Sequence, residues 1–219
     1  MEIKVVKQIL EWNEDVSGEN IRELADKKVC MVNLMGSPGA GKTTVLLRTI
    51  EALKDKYRIG VMEADVDSAV DAEKIAAAGV RVIQLHTGGS CHMDADMTAR
   101  GMEKMNIDDL DLVFLENVGN LVCPAEFDVG AAKKAMILSV PEGDDKPLKY
   151  PLMFTVSDCM LINKIDTKEI FDFDEDRCRE YVRKLNPDME IFPISALHDE
   201  GMKEFTDWLD REISLWRAQ

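Results

Sequence analysis

Residues Gly36-Ser37-Pro38-Gly39-Ala40-Gly41-Lys42-Thr43 fit G-x-x-x-x-G-K-[ST] between an apolar run and a helical pattern. Each residue type answers a need of phosphate binding. Gly36, Gly39 and Gly41 let the backbone curl, so that the N–H groups of the loop, Ser37 and Ala40 included, turn inward on phosphate oxygens. The helix that follows adds the positive end of its dipole. Lys42 is expected to reach the outer phosphates. Thr43, with Thr44 beside it, opens the helix, and its hydroxyl suits magnesium, which takes few protein ligands and keeps its waters. Two acids would complete the centre. Asp65 follows the apolar run 59–62, and Glu116 ends the run 112–115. Ligands of doubly wound sheets gather beyond the carboxyl ends of strands, so both acids should face the magnesium ion and the phosphates. Gly119 would offer its N–H to the γ-phosphate, making the loop after Glu116 a sensor of nucleotide state. Lys42, Asp65, Glu116 and Gly119 are thus the expected catalytic residues. Asn120 follows where no glutamine stands to orient water, so unaided hydrolysis should be slow.

Asn163-Lys164-Ile165-Asp166 directly follows the apolar run 159–162 and resembles the guanine-reading motif of GTPases. A carboxylate at Asp166 can accept from both the ring N1–H and the exocyclic amine of guanine. Adenine has no such donor pair and would leave the acid unmatched, a costly misfit. Lys164 would lie along the base and Asn163 would tie this loop to the phosphate loop. Ser195-Ala196-Leu197, after the last apolar run, resembles the loop whose backbone N–H contacts guanine O6. The expected ligands are GTP and GDP with Mg2+.

Five cysteines, odd in number and scattered, argue against a disulfide framework. Cys30, Cys159 and Cys178 stand in apolar or helical patterns, as small buried hydrophobes do. Cys91-His92 and the distant Cys123-Pro124 stand instead in turns. Thiolate and imidazole donors suit zinc or nickel, although residue types alone favour buried or idle thiols there.

Around these residues the chain reads as one α/β domain. Its 219 residues suffice for a sizeable core, and 46% hydrophobic with 32% charged residues is an ordinary globular balance. Apolar runs at 29–34, 59–62, 80–85, 112–115, 136–140, 159–162 and 190–194 alternate with helical patterns such as 43–54 and 174–185. Strands apolar on both faces and separated by helices predict a mostly parallel sheet. Residues 1–27 read as a helical appendage of two short amphipathic helices, the second capped by Ser17, ahead of a GTPase domain at 28–219. A net charge of −15 with no basic stripe excludes nucleic acid as an expected partner. No apolar run approaches the ~18 residues of a membrane span, and the first residues lack a secretory pattern, so a cytoplasmic protein is expected.

Three longer stretches are more specific. Thr87-Gly88-Gly89-Ser90-Cys91-His92-Met93-Asp94-Ala95, the run Glu116 to Ala125, and the run Glu142 to Pro151 closely resemble the HypB family, SIMIBI-class P-loop GTPases that assist nickel delivery to [NiFe]-hydrogenase. The resemblance covers about residues 20 to 217. It implies slow GTP hydrolysis, a GTP-promoted homodimer, a metal site of nickel or zinc on Cys91, His92 and Cys123, and a partner such as a HypA-like metallochaperone. The chain departs from the family pattern in three places. It has no C-x-x-C-G-C segment or histidine tract near its N-terminus, which leaves a separate nickel site without support. Ala64 stands where glycine usually precedes the aspartate. Asp96 stands where some relatives place a further histidine, so Asp94 and Asp96 are at most oxygen ligands or hydrogen-bond partners of the site. His86 is expected to pack at a strand end and His198 to lie beside the guanine site. The related urease GTPase UreG carries a Cys-Pro-His motif, which is absent here. A zinc-stabilised switch without turnover and an ATP-dependent enzyme of the same fold are the other readings, separable by phosphate release and nucleotide competition.

Overall fold

The computed structural model describes residues 2–65 and 70–219, with side chains for 9–64 and 72–219. Seven strands form one sheet: β1 (Cys30–Gly36), β2 (Ile59–Asp65), β3 (Arg81–His86), β4 (Leu112–Glu116), β5 (Lys133–Ser139), β6 (Cys159–Asn163) and β7 (Glu190–Pro193). Their order is β3-β2-β4-β1-β5-β6-β7, and every pairing is parallel. Each strand corresponds to one apolar run of the sequence. The helices described are α1 (Glu2–Asp26), α2 (Lys42–Leu53), α3 (Val70–Ala77), α4 (Ala95–Met105), α5 (Cys123–Glu126), α6 (Lys146–Lys149), α7 (Pro151–Val156), α8 (Glu175–Leu185) and α9 (Met202–Arg217).

The strands are apolar throughout because both faces of the sheet are covered. Cys30, Val32, Leu34 and Phe114 pack with Val45 and Leu46 of α2 and with Phe205 and Leu209 of α9. On the other face Met31, Val113 and Leu115 pack with Leu24 of α1 and Met102 of α4. Met35, Met136, Leu138 and Ile162 pack there too, with Phe154 of α7 and Val182 of α8. Burial of each such side chain stabilises the fold by roughly 1.5–3 kcal/mol.

Where two short N-terminal helices are expected, α1 is continuous over 25 residues. Ser17 does not cap a helix; it lies inside α1, and its hydroxyl donates to the Glu14 carbonyl at 3.0 Å. Two asparagines of α1 are tertiary anchors. Asn13 accepts from the Ala95 N–H at 2.9 Å and donates to the Asp128 carbonyl at 2.8 Å. Asn20 donates to the carbonyls of Ala95 and Val129 at 2.8 and 3.0 Å. Among the described residues no helix is long and apolar enough to cross a membrane.

Parallel pairing sends every strand's carboxyl end to the same edge. β1 lies between β4 and β5, and the loop leaving it, 36–41, therefore emerges between the loops that leave those two neighbours. This is the crevice position that doubly wound sheets reserve for ligands.

Candidate functional site

The phosphate loop runs from the end of β1 to the start of α2, whose N-cap Gly41 has φ +100°. A Cβ there would lie 2.4 Å from Asn163 Nδ2, so only glycine suits both the backbone angle and the approach of the base-site asparagine. Lys42 is buried, and its Nζ donates to the carbonyls of Gly36 (3.3 Å) and Ser37 (3.2 Å), which poises the ammonium across the loop. The Thr43 hydroxyl donates to Glu116 Oε1 at 2.8 Å. A hydroxyl and a carboxylate in contact at the mouth of the loop form a donor set that fits magnesium.

A cleft of about 600 Å³ opens here, lined by Gly39, Lys42 to Thr44, Glu116 and Gly119, and also by Glu63 and Lys74. The last two escape the sequence reading. Asp65 ends β2 as expected, but its side chain lies outside the described residues, and so does any test of its place at magnesium. Glu63 stands two residues earlier, in register with Glu116 on β4, and is only 4% exposed. Residues two apart on a strand share a face, so the pattern Glu63-Ala64-Asp65 carried the signal. Lys74 comes from α3, which no motif announces. Gly119 presses on the phosphate loop: a Cβ would lie 2.8 Å from the Pro38 nitrogen. The Asn120 N–H donates to the Gly36 carbonyl at 3.1 Å.

The base-site residues assemble around Asn163. Its Nδ2 donates to the Ala40 carbonyl at 2.9 Å and its Oδ1 accepts from the Ala196 N–H at 3.2 Å, tying three loops together. Lys164 donates to the Gly39 carbonyl at 2.7 Å. The Ser195 hydroxyl donates to Asp166 Oδ1 at 2.5 Å and is the main reason why that carboxyl sits below its ordinary value. His198 Nε2 lies 3.9 Å from Asp166 Oδ2, beside the site as expected. Leu197 is exposed. Arg48 of α2, absent from the sequence reading, donates to the carbonyls of Ala196 and Leu197 at 3.1 and 3.3 Å.

Cys91, His92 and Cys123 converge although 32 residues separate the two cysteines. The Cys91 thiol donates to Cys123 Sγ at 2.9 Å, and Cys91 Sγ stands 3.7 Å from His92 Nδ1. One ligand atom from each lies within 4.8 Å of the other two, the one such cluster among the described residues. Thiolates bound ~2.3 Å from a common ion would stand roughly 3.3–3.8 Å apart, so small shifts would seat a soft metal. The His92 ring stacks on Phe127, with centroids 4.1 Å apart. Partial burial lowers its pKa, which favours the neutral, ligating imidazole. The Cys123 thiol is raised, first by its hydrogen bond with Cys91 and then by burial. A metal would therefore have to displace protons. Asp94 caps α4 through the Met97 N–H at 2.8 Å, and Asp96 pairs with Arg100 at 2.8 Å. Burial pushes Cys30 and Cys178 up to about 12 and Cys159 well above its ordinary value, as inert core thiols. His86 ends β3 exposed rather than packed.

Residues 30–193 match the family model described as "CobW/HypB/UreG, nucleotide-binding domain". The chain is 45% identical to the hydrogenase maturation factor HypB of Azotobacter chroococcum mcd 1 over 210 residues, spanning 96% of this chain and 69% of that one. Among solved structures, HypB from Archaeoglobus fulgidus superposes with a TM-score of 0.87 at 34% identity, covering 93% of this chain and 99% of that chain. HypB from Helicobacter pylori, solved in complex with nickel, gives 0.87 at 35%, covering 92% and 95%. The likeness extends over nearly the whole chain, and the chain belongs to the CobW/HypB/UreG family and, within it, to the HypB hydrogenase maturation factors, P-loop GTPases.

Proposed function

We propose that this chain hydrolyses GTP with magnesium and uses the nucleotide cycle to bind and release nickel during [NiFe]-hydrogenase maturation. The observation that carries the reading is the convergence of Cys91, His92 and Cys123 within 4.8 Å, with Cys123 four residues beyond Gly119, which lines the phosphate cleft.

At the nucleotide, the N–H groups of residues 39–43 hold the phosphates, and Lys42 offsets charge that builds on the outer oxygens. Thr43, Glu116 and Asp65 hold the magnesium ion, which supplies further charge neutralisation when bound. Asp166, fixed by Ser195, accepts from guanine, and the loop Ser195 to Leu197 supplies a backbone N–H to O6. Gly119 meets the γ-phosphate and reports its presence. Asn120 cannot polarise water as glutamine does, which fits slow turnover. At the second site nickel, or zinc in its place, is cargo held by the two thiolates and the imidazole.

Three ligands from one chain leave a four-coordinate ion incomplete, which supports a homodimer that doubles the donor set at a two-fold axis. Val122, Leu148 and Leu152 are exposed on the segment before α5 and on α6 and α7, and α5 packs on α7. Val122 adjoins Cys123 in the chain, and with Leu148 and Leu152 it supplies the face that a GTP-bound copy would cover. A HypA-like metallochaperone is the proposed exchange partner, in the cytoplasm.

Nickel titration of the purified protein with GDP and with a non-hydrolysable GTP analogue tests the reading. One or two ions per pair of chains, lost in Cys123→Ala and with an affinity that depends on the nucleotide, are expected. Wild-type protein that binds no stoichiometric nickel under either condition would overturn it.

A further inference from the structure

Two asparagine side chains join the loop that leaves β4 to the loop that carries Cys91 and His92. Asn117, 1% exposed, accepts from the Met93 N–H at 3.0 Å and from its own neighbour, the Val118 N–H, at 2.9 Å. Its Nδ2 donates to Asn33 Oδ1 at 3.2 Å, a second buried amide on the strand that runs into the phosphate loop. Asn120 donates from Nδ2 to the Cys91 carbonyl at 3.3 Å and accepts from the Val122 N–H at 2.8 Å. Its backbone N–H holds the Gly36 carbonyl, at the first residue of the phosphate loop. The two amides thus grip the backbone on either side of His92, one at the Cys91 carbonyl and one at the Met93 N–H. Between the two amides in the sequence stands Gly119, packed against Pro38.

The buried Asn117–Asn33 pair costs desolvation unless its groups are matched, and Asn117 finds its partners on β1, on the Met93 loop and in its own loop. A shift of the Gly119 segment would move both anchor points together. Loosening either bond would weaken the hold of nucleotide state on the Cys91–His92 loop, while Cys123 stayed linked through the chain.

We propose that Asn117 and Asn120 are positioning residues that transmit nucleotide state from the Gly119 segment to the metal ligands Cys91 and His92. This rests on the reading that nickel affinity depends on the bound nucleotide. Coupling of this kind is a ratio of affinities, and it must be the same measured from either ligand.

The test measures the affinity for nickel(II), supplied as its sulfate, of wild type, Asn120→Asp, Asn120→Ala and Asn117→Ala, each with GDP and with guanosine 5′-(β,γ-imido)triphosphate. Asn120→Asp keeps the acceptor for Val122 and loses the amide donor to the Cys91 carbonyl and to the Cys123 thiol. Its added charge raises affinity in both nucleotide states and leaves the ratio readable. The reciprocal ratio, analogue affinity with and without nickel, is measured alongside. A wild-type ratio of about fivefold or more, falling below about twofold in the variants while analogue affinity without nickel stays unchanged, is the expected result. A wild-type ratio kept in both Asn120 variants overturns the proposal alone, whatever the folding of Asn117→Ala. A wild-type ratio of one overturns the coupling reading, and this proposal with it.

Discussion

The Ser195 hydroxyl holds one oxygen of Asp166 at 2.5 Å, which leaves the other, 3.9 Å from His198 Nε2, for the proposed contact with the base. Replacing this carboxylate with a carboxamide would exchange an acceptor for a donor. Asp166→Asn should therefore lose the preference for GTP over ATP, expected at about 100-fold or more, and favour xanthosine triphosphate; a competition assay with the three nucleotides checks it, and unchanged GTP affinity would refute the base-site assignment. Lys42 Nζ already lies across the loop it must serve. Lys42→Ala should lower kcat by at least ~100-fold through loss of transition-state charge, read as phosphate release at saturating GTP. The cysteines divide as sharply. Cys91 and Cys123 are accessible and adjacent, whereas Cys30, Cys159 and Cys178 are buried with raised pKa values. Ellman's reagent should modify two thiols of the native protein at pH 7.5 and all five in denaturant; stoichiometric nickel should protect the two. Rapid reaction of a third thiol in the native state would contradict this placement.

At the scale of elements, the end of the sheet opposite the cleft is clasped by Asp111, just before β4. Its carboxylate accepts from the Arg58 backbone N–H and from Arg58 Nε, both at 2.9 Å, and pairs with Arg58 Nη2 at 2.8 Å and with Arg217 of α9 at 2.6 Å. One residue thereby joins β2, β4 and α9. The Arg58 hydrogen bonds hold its pKa at about 2, below the ordinary 3.8. A depressed carboxyl contributes its full stabilisation above the unfolded value and loses it as pH falls towards the folded one. Asp111→Asn should therefore cost about 1–2 kcal/mol, after solvent screening of the exposed guanidinium. Urea unfolding should show that gap constant from pH 7 down to about pH 4 and narrowing below it. A gap that widens on acidification would reverse the sign assigned here. The continuous α1 belongs to this scale too. Asparagine reads as a helix breaker in isolation because its amide competes for backbone groups; Asn13 and Asn20 satisfy theirs on α4 and on the 128–129 segment instead.

For the whole molecule, the proposed dimer makes a clear demand. Leu148 is 60% exposed and Leu152 44%, beside the segment that carries Cys123. Two-fold pairing would bury both, and charges placed there would have to be desolvated against each other. Leu148→Asp combined with Leu152→Asp should leave a monomer by sedimentation with a GTP analogue and nickel, while the wild type sediments as a dimer. GTP affinity in the monomer should stay within about threefold of wild type, since neither residue lines the cleft. A double variant that still dimerises would move the interface elsewhere.

Much of this was legible before any fold was considered, for a physical reason. Phosphate recognition relies on consecutive backbone groups and guanine recognition on side chains a few positions apart, so residues 36–43 and 163–166 carry their chemistry as local motifs. A sheet covered on both faces needs uniformly apolar strands, and all seven stood out as apolar runs. Residue types also singled out Cys91, His92 and Cys123, but their joint use came from family resemblance, and their spacing of 2.9 and 3.7 Å from the fold. Strand order was not legible, because pairing is decided by packing between distant segments. The same holds for the groups that tertiary contact alone brought in. Glu63 and Lys74 reach the cleft, Arg48 reaches carbonyls 148 and 149 residues away, and Asn117 and Asn120 grip a loop 24 and 29 residues upstream. A hydrogen bond leaves no mark in a sequence when its two ends lie in separate loops, since either side chain alone looks like an ordinary polar residue at a turn.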